Sequence, residues 1–143
     1  MNMIAIGCDQ AGFALKGVII DYLKEKNLEY KDYGTYSEES VDYPVYAKKV
    51  AEAIISREAD KGILICGTGI GVSITANRYK EIRCALCGDV FSAKATREHN
   101  DSNVLALGGR VVGPGLALEI VDAWLNTEFS HIERHQRRID MMS

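Results

Sequence analysis

The sequence predicts an α/β protein with a five-stranded parallel sheet held between two layers of helices. Three observations carry this expectation. Strand-like and helix-like segments alternate along all 143 residues. The first of them, residues 3–8, is a continuous apolar run, as in a parallel strand buried on both faces. Polar and glycine-rich turns separate the segments, with no internal repeat, linker or low-complexity stretch among them.

Taken in order, residues 3–8 are an apolar run that ends in a polar turn, the first strand. Residues 11–26 show helical spacing through Phe13, Leu15, Ile19, Ile20 and Leu23. Residues 29–33 read as a short second strand and 34–43 as a polar loop. Pro44, favoured in the first turn of a helix, opens a helix to about Ser56. Residues 62–66 form the third strand, and a helix over 71–79 begins directly after a glycine-rich turn. Residues 82–87 are the fourth strand, 90–98 the next helix and 103–107 the fifth strand. The helix over 113–125 is apolar through Leu116, Ile120, Val121 and Trp124, and 131–142 is a polar tail, helical in part. Five such units make one three-layer, doubly wound (Rossmann-like) domain over residues 1–143, with 130–143 as its tail. Ligands of such sheets bind at the carboxyl ends of the strands, where the strand order reverses. The positions of interest are therefore 8–10, 66–71 and 108–110.

The composition, 47% hydrophobic and 26% charged, is that of an ordinary globular protein. A net charge of -3 and a pI near 5.6 argue against a nucleic-acid binder, which would carry a basic stripe. The first eight residues are too short and lack the basic start of a signal peptide, and no apolar run reaches membrane-spanning length. The expectation is a cytoplasmic protein with neither a nucleic-acid nor a membrane partner.

Four cysteines are present: Cys8, Cys66, Cys84 and Cys87. Their spacing is not that of a disulfide-stapled domain. Cys84 and Cys87 form a CxxC with no second pair to complete a zinc site. They also fall on a strand, where residues three apart point to opposite faces, so they read as buried strand cysteines and no metal is expected.

The strongest local signal is Cys66-Gly67-Thr68-Gly69-Ile70-Gly71, which follows a buried strand and opens a helix. Glycines let the backbone approach a ligand, and successive N–H groups at a helix start make an anion site. It is neither a GxGxxG fingerprint nor a P-loop. A thiol at the mouth of such a nest should be acidified from about 8.5, and the same N–H groups suit an enediolate oxygen. A structural cysteine ending a strand remains an equal alternative on position alone. His99, next to Asn100 at a helix end, suits either proton transfer near neutral pH or a cation at the helix C-terminus. In the tail, Arg134 and Arg138 are four apart and share a helix face beside His135. With Arg110 past the fifth strand, they suit a phosphate, or a merely solvated basic end.

Together these segments resemble the type B ribose-5-phosphate isomerases and the wider family that includes the galactose-6-phosphate isomerase subunits. The resemblance runs nearly end to end. It rests on Ile6-Gly7-Cys8-Asp9-Gln10-Ala11-Gly12, Asp42-Tyr43-Pro44, and Gly62-Ile63-Leu64-Ile65-Cys66-Gly67-Thr68-Gly69-Ile70-Gly71. It continues in Arg97-Glu98-His99-Asn100-Asp101-Ser102-Asn103, Gly109-Arg110-Val111-Val112-Gly113 and Arg134-His135-Gln136-Arg137-Arg138. The resemblance implies a metal- and cofactor-independent aldose–ketose isomerisation through a cis-enediol, with a small phosphorylated sugar as substrate. It gives Cys66 the role of base, His99 with Thr68 that of ring opening, and Gly67, Thr68, Gly69, Ile70 and Gly71 that of holding the enediolate. Asp9 and Asn100 would hold sugar hydroxyls. Arg110, Arg134 and Arg138 would hold the phosphate, with His135 nearby. It also implies a homodimer or homotetramer with shared sites, one copy lending its 99–110 stretch to the other.

The chain departs from the family pattern at Gln10, where the family usually has a His that helps bind substrate. An amide keeps the hydrogen bonding and loses the charge. The substrate expected is ribose 5-phosphate, with a hexose 6-phosphate of the allose or galactose type as the alternative. A non-catalytic sugar-phosphate sensor on the same fold is the alternative from outside the enzymes.

Overall fold

The computed structural model describes residues 2–142. Its strands are β1 (Met3–Cys8), β2 (Glu29–Asp32), β3 (Lys61–Cys66), β4 (Cys84–Leu86) and β5 (Val104–Gly108). Its helices are α1 (Phe13–Glu25), α2 (Tyr43–Ile55), α3 (Ile70–Ala76), α4 (Val90–Asn100), α5 (Pro114–Leu125) and α6 (Glu133–Asp140). All strand pairs are parallel, in the order β2-β1-β3-β5-β4.

The apolar runs bury both faces, as their composition requires. Ile4, Ile6, Ile63, Ile65, Leu105 and Leu107 face α1 and α5, packing with Leu15, Ile19, Leu23, Ile120 and Trp124. The alternate residues Ala5, Leu64, Cys66, Val104 and Ala106 face α2 and α3, against Val50, Ala51 and Val72. Cys84 packs on the α2–α3 side and Cys87 on the other, so the CxxC straddles the sheet. No helix among the described residues is long and apolar enough to cross a membrane.

Element ends differ from the sequence expectation where side chains compete for backbone groups. The first helix starts at Phe13 rather than at residue 11. The Asp9 carboxylate accepts the N–H groups of Ala11 and Gly12 and folds Gln10–Gly12 into a 3-10 turn. The fourth strand shrinks to Cys84–Leu86. At its start Asn103 Oδ1 takes the Arg83 N–H and Asn77 Oδ1 takes the Cys84 N–H. The same Asn77 side chain is drawn from α3 to β4, and α3 ends at Ala76, short of Tyr79. Helix α4 continues through Asn100 and stops at Asp101, which adopts a left-handed φ of 44°.

Two consequences position the functional residues. From β1 the chain goes to β2 on one side and to β3 on the other, so the crevice between β1 and β3 opens at their carboxyl ends. Each helix returns antiparallel to the strands, so the end of α4 lies at the amino ends. There Arg83, just before β4, donates to the carbonyls of Asn100 and Asp101.

Candidate active site

At the carboxyl end three loops meet. The backbone N–H groups of Gly109 and Arg110 donate to the carbonyls of Cys66 and Gly67 at 2.8 and 2.9 Å. Asp9 N–H donates to the Ile65 carbonyl. These bonds tie the loops after β1, β3 and β5 into one rim.

Cys66 ends β3 with its side chain buried, and its Sγ accepts the Gly69 N–H at 3.2 Å. That contact needs the loop to turn sharply, and Gly69 does so with φ 80°. A Cβ there would lie 2.8 Å from the Leu107 carbonyl carbon and 2.5 Å from a Leu86 methyl, so only glycine fits. Thr68 Oγ1 accepts the Ile70 N–H at 3.2 Å, which orients its exposed hydroxyl. Two N–H groups of the loop thus have fixed acceptors, one of them the sulfur. Burial pushes the thiols of Cys8 and Cys87 up to about 11 and that of Cys84 to about 12, so these three stay protonated at neutral pH.

Asp9 is buried, and its Oδ1 takes both turn N–H groups, which aims the carboxylate along the rim. Gln10 has a role the sequence did not reveal. Its Oε1 accepts the Val41 N–H at 3.0 Å and fastens the loop that follows β2. Tyr43 also escaped assignment. Its ring lies so close over Gly71 that a Cβ there would sit 2.5 Å from the ring and 3.0 Å from the phenol oxygen. The Asp42-Tyr43-Pro44 motif was the available signal.

Arg110 differs from the expectation that it reaches a partner with the 99–110 stretch. Its Cδ and Nη1 lie 3.5 and 3.6 Å from where a Gly67 Cβ would stand, so it borders the Cys66 loop of its own chain. The backbone bonds from Gly109 and Arg110 to that loop fix this placement.

The remaining candidates gather at the opposite end of the sheet. His99 stacks on His135 with ring centroids 4.5 Å apart. Arg134 and Arg138 are exposed on α6, which packs against α4, and Asn100 ends α4. Cys66 pairs with Gly108 and Gly62 with Val104, so the two groups are separated by about 13 Å of strand before any lateral offset. An open cleft of about 950 Å3 adjoins the Asn100 end and is lined by Arg83, Cys84, Thr96, Asn100 and Ile139. It contains no residue of the Cys66 loop, so the chemistry of the residues, rather than the size of the cleft, identifies the site.

The family model described as Ribose/Galactose Isomerase matches residues 4–142. The chain belongs to this family. Ribose-5-phosphate isomerase B of Escherichia coli K12 is 50% identical over 143 residues, covering all of this chain and 95% of its relative. A D-erythrulose-4-phosphate isomerase of Pectobacterium atrosepticum is 48% identical over 130 residues, 90% of this chain and 86% of that one. The solved ribose-5-phosphate isomerase B of Clostridium thermocellum superposes with a TM-score of 0.96 at 52% identity, covering 98% of this chain and 94% of its own. The protein is a sugar-phosphate isomerase on a three-layer α/β fold.

Proposed function

We propose that the protein interconverts ribose 5-phosphate and ribulose 5-phosphate through a cis-enediol, with Cys66 as the base. The observation that carries this reading is the buried Cys66 sulfur with a backbone N–H aimed at it, at the rim where three strand-end loops converge. An N–H donor stabilises the thiolate, and the thiolate is the form that can take a proton. In the open-chain aldose, Cys66 removes the proton on C2 while the carbonyl oxygen at C1 becomes an enediolate oxygen. The 67–71 backbone stabilises that charge. Return of that proton from Cys66 to C1 and transfer of the O2 proton to O1 leave the ketose, with the thiolate regenerated.

Ring opening comes first and requires a proton to move between the anomeric hydroxyl and the ring oxygen. His99 has the chemistry for this, assisted by Thr68, and Asp9, Asn100 and Gln10 hold hydroxyls. Arg134 and Arg138 bind the phosphate, joined by Arg110 from the rim. Because His99 and Cys66 lie at opposite ends of one sheet, the complete site requires a second copy, and a homodimer or homotetramer is the assembly proposed. The apolar surroundings of the rim support such docking. Phe91 is 79% and Val111 68% exposed, and Ile70, Ile74 and Leu86 are exposed on the elements that follow β3 and form β4.

Gln10 supports a second reading of the substrate alone, since the usual His is absent and a sugar of another length is admissible. The deciding assay measures aldose–ketose conversion of ribose 5-phosphate, allose 6-phosphate and D-erythrulose 4-phosphate, with and without chelator. Preferred turnover of the pentose, unaffected by chelator, is expected. Turnover only of another sugar phosphate replaces the substrate, and turnover of none removes the catalytic reading.

A further inference from the structure

His135 stands out from the two arginines that flank it. They are exposed, whereas its ring is buried against α4. Its Nδ1 lies 2.7 Å from Ser130 Oγ. That hydroxyl oxygen also accepts the Ile132 N–H at 3.2 Å, so its own proton is available to the imidazole nitrogen. The Ser130 N–H in turn donates to the Glu98 carbonyl, one residue before His99. The connection from tail to helix end is therefore made by Ser130 and His135 together, and its outer face is the His99 ring, tilted 46° to that of His135.

We propose that His135 is a positioning residue, which together with Ser130 fixes the orientation of the His99 ring, and that it is not itself a phosphate ligand. This rests on the role given to His99 above. A phosphate ligand needs an accessible donor, preferably charged. Burial disfavours the charged form of His135, and His99 from α4 and Arg134 and Arg138 from its own helix reinforce this, so its titration moves down from the ordinary 6.5. The Glu98 carbonyl, facing from α4, is the countering influence. A neutral ring with Nδ1 accepting from Ser130 is held in the Nε2–H tautomer. Such a ring offers His99 a flat, uncharged support rather than a competing cation.

The test combines kinetics with ring nitrogen NMR on the full chain, where three histidines keep the spectrum assignable. Ser130→Ala and His135→Ala should shift the His99 ring resonances and lower kcat with cyclic substrate by roughly tenfold, with KM for the phosphorylated sugar within about twofold. His135→Phe, which keeps a ring in the stack, should restore most of kcat; this variant guards against mere misfolding. Unmoved His99 resonances in both alanine variants, or a raised KM with kcat intact, overturn the proposal. An unchanged rate in His99→Ala would instead overturn the role of His99, while the His99 resonances of the Ser130 and His135 variants still report whether His135 positions the ring.

Discussion

The two ends of the sheet are built from different materials. At the carboxyl end, main chain dominates. Gly69 N–H meets the Cys66 sulfur, Gly109 and Arg110 bind back onto the Cys66 loop, and the Asp9 carboxylate holds its own turn. At the amino end, side chains on two helices do the work, and Arg134 and Arg138 stand in solvent. One end is set by the fold and the other is presented on a surface. In the proposed mechanism the first makes and holds charge, the second supplies protons and grips the anion, and neither suffices alone.

Removing one function from each end gives the largest effect. Cys66→Ala should lower kcat by about 10²–10⁴-fold, the range of a lost general base, with stability nearly unchanged. His99→Ala should cost less when the sugar is supplied in open form. Mixing the two inactive proteins with exchange of subunits sharpens the comparison. A site shared across copies regains about a quarter of wild-type activity at equal mixing, because half the dimers then hold one intact site. No recovery after demonstrated exchange would mean that each chain completes its own site.

Loss of a cation should read differently at the two ends. Lys16 is buried and donates to Asp32 Oδ1 at 2.7 Å and to the Thr35 carbonyl, and Asp32 also accepts the Gly34 N–H. This clamp braces the loop that Gln10 fastens farther along. Lys16→Met should cost about 2–4 kcal/mol of folding stability in urea melts, since one member of a largely buried pair is left behind. Arg134→Ala and Arg138→Ala should leave the melts unchanged and raise KM by about tenfold each, a modest share of a charge-assisted contact. A normal melt for Lys16→Met would remove the clamp, and an unchanged KM in both arginine variants would make the tail a solvated end.

The same contrast explains what the sequence disclosed. Apolar runs marked β1, β3 and β5, and the glycine loop after β3 located the carboxyl end, because backbone geometry constrains residue type there. The separation of His99 from Cys66 follows from helix direction once the strands are parallel. Side-chain partnerships were not legible. Nothing in the spacing shows that Gln10 binds Val41, that Tyr43 covers Gly71, or that Asn77 and Asn103 shorten β4, since each depends on contacts 7 to 31 residues apart. Arg110 was misplaced for the same reason. Its motif lies beside the 97–103 motif in sequence, yet β5 carries it the full length of the sheet.

The smallest effect is expected at Gln10, and it bears on how far the carboxyl end depends on side chains at all. Its Oε1 is committed to the Val41 N–H, leaving only its NH2 group to donate toward a ligand. Gln10→His would add a cation at mildly acidic pH while exchanging the amide acceptor for a ring nitrogen set closer to the backbone. Two consequences oppose each other. The imidazolium strengthens a phosphate contact as pH falls toward 6, whereas losing the Val41 bond loosens the loop leading to Tyr43. A net gain of a few-fold in kcat/KM for ribose 5-phosphate at pH 6, fading at pH 8, is expected if the added charge outweighs the lost bond. Gln10→Ala separates the two, since it removes the latch and adds nothing. A loss in Gln10→Ala equal to any loss in Gln10→His would identify the latch as what matters. A wild-type preference for a hexose 6-phosphate that Gln10→His reverses would show instead that this amide selects the sugar.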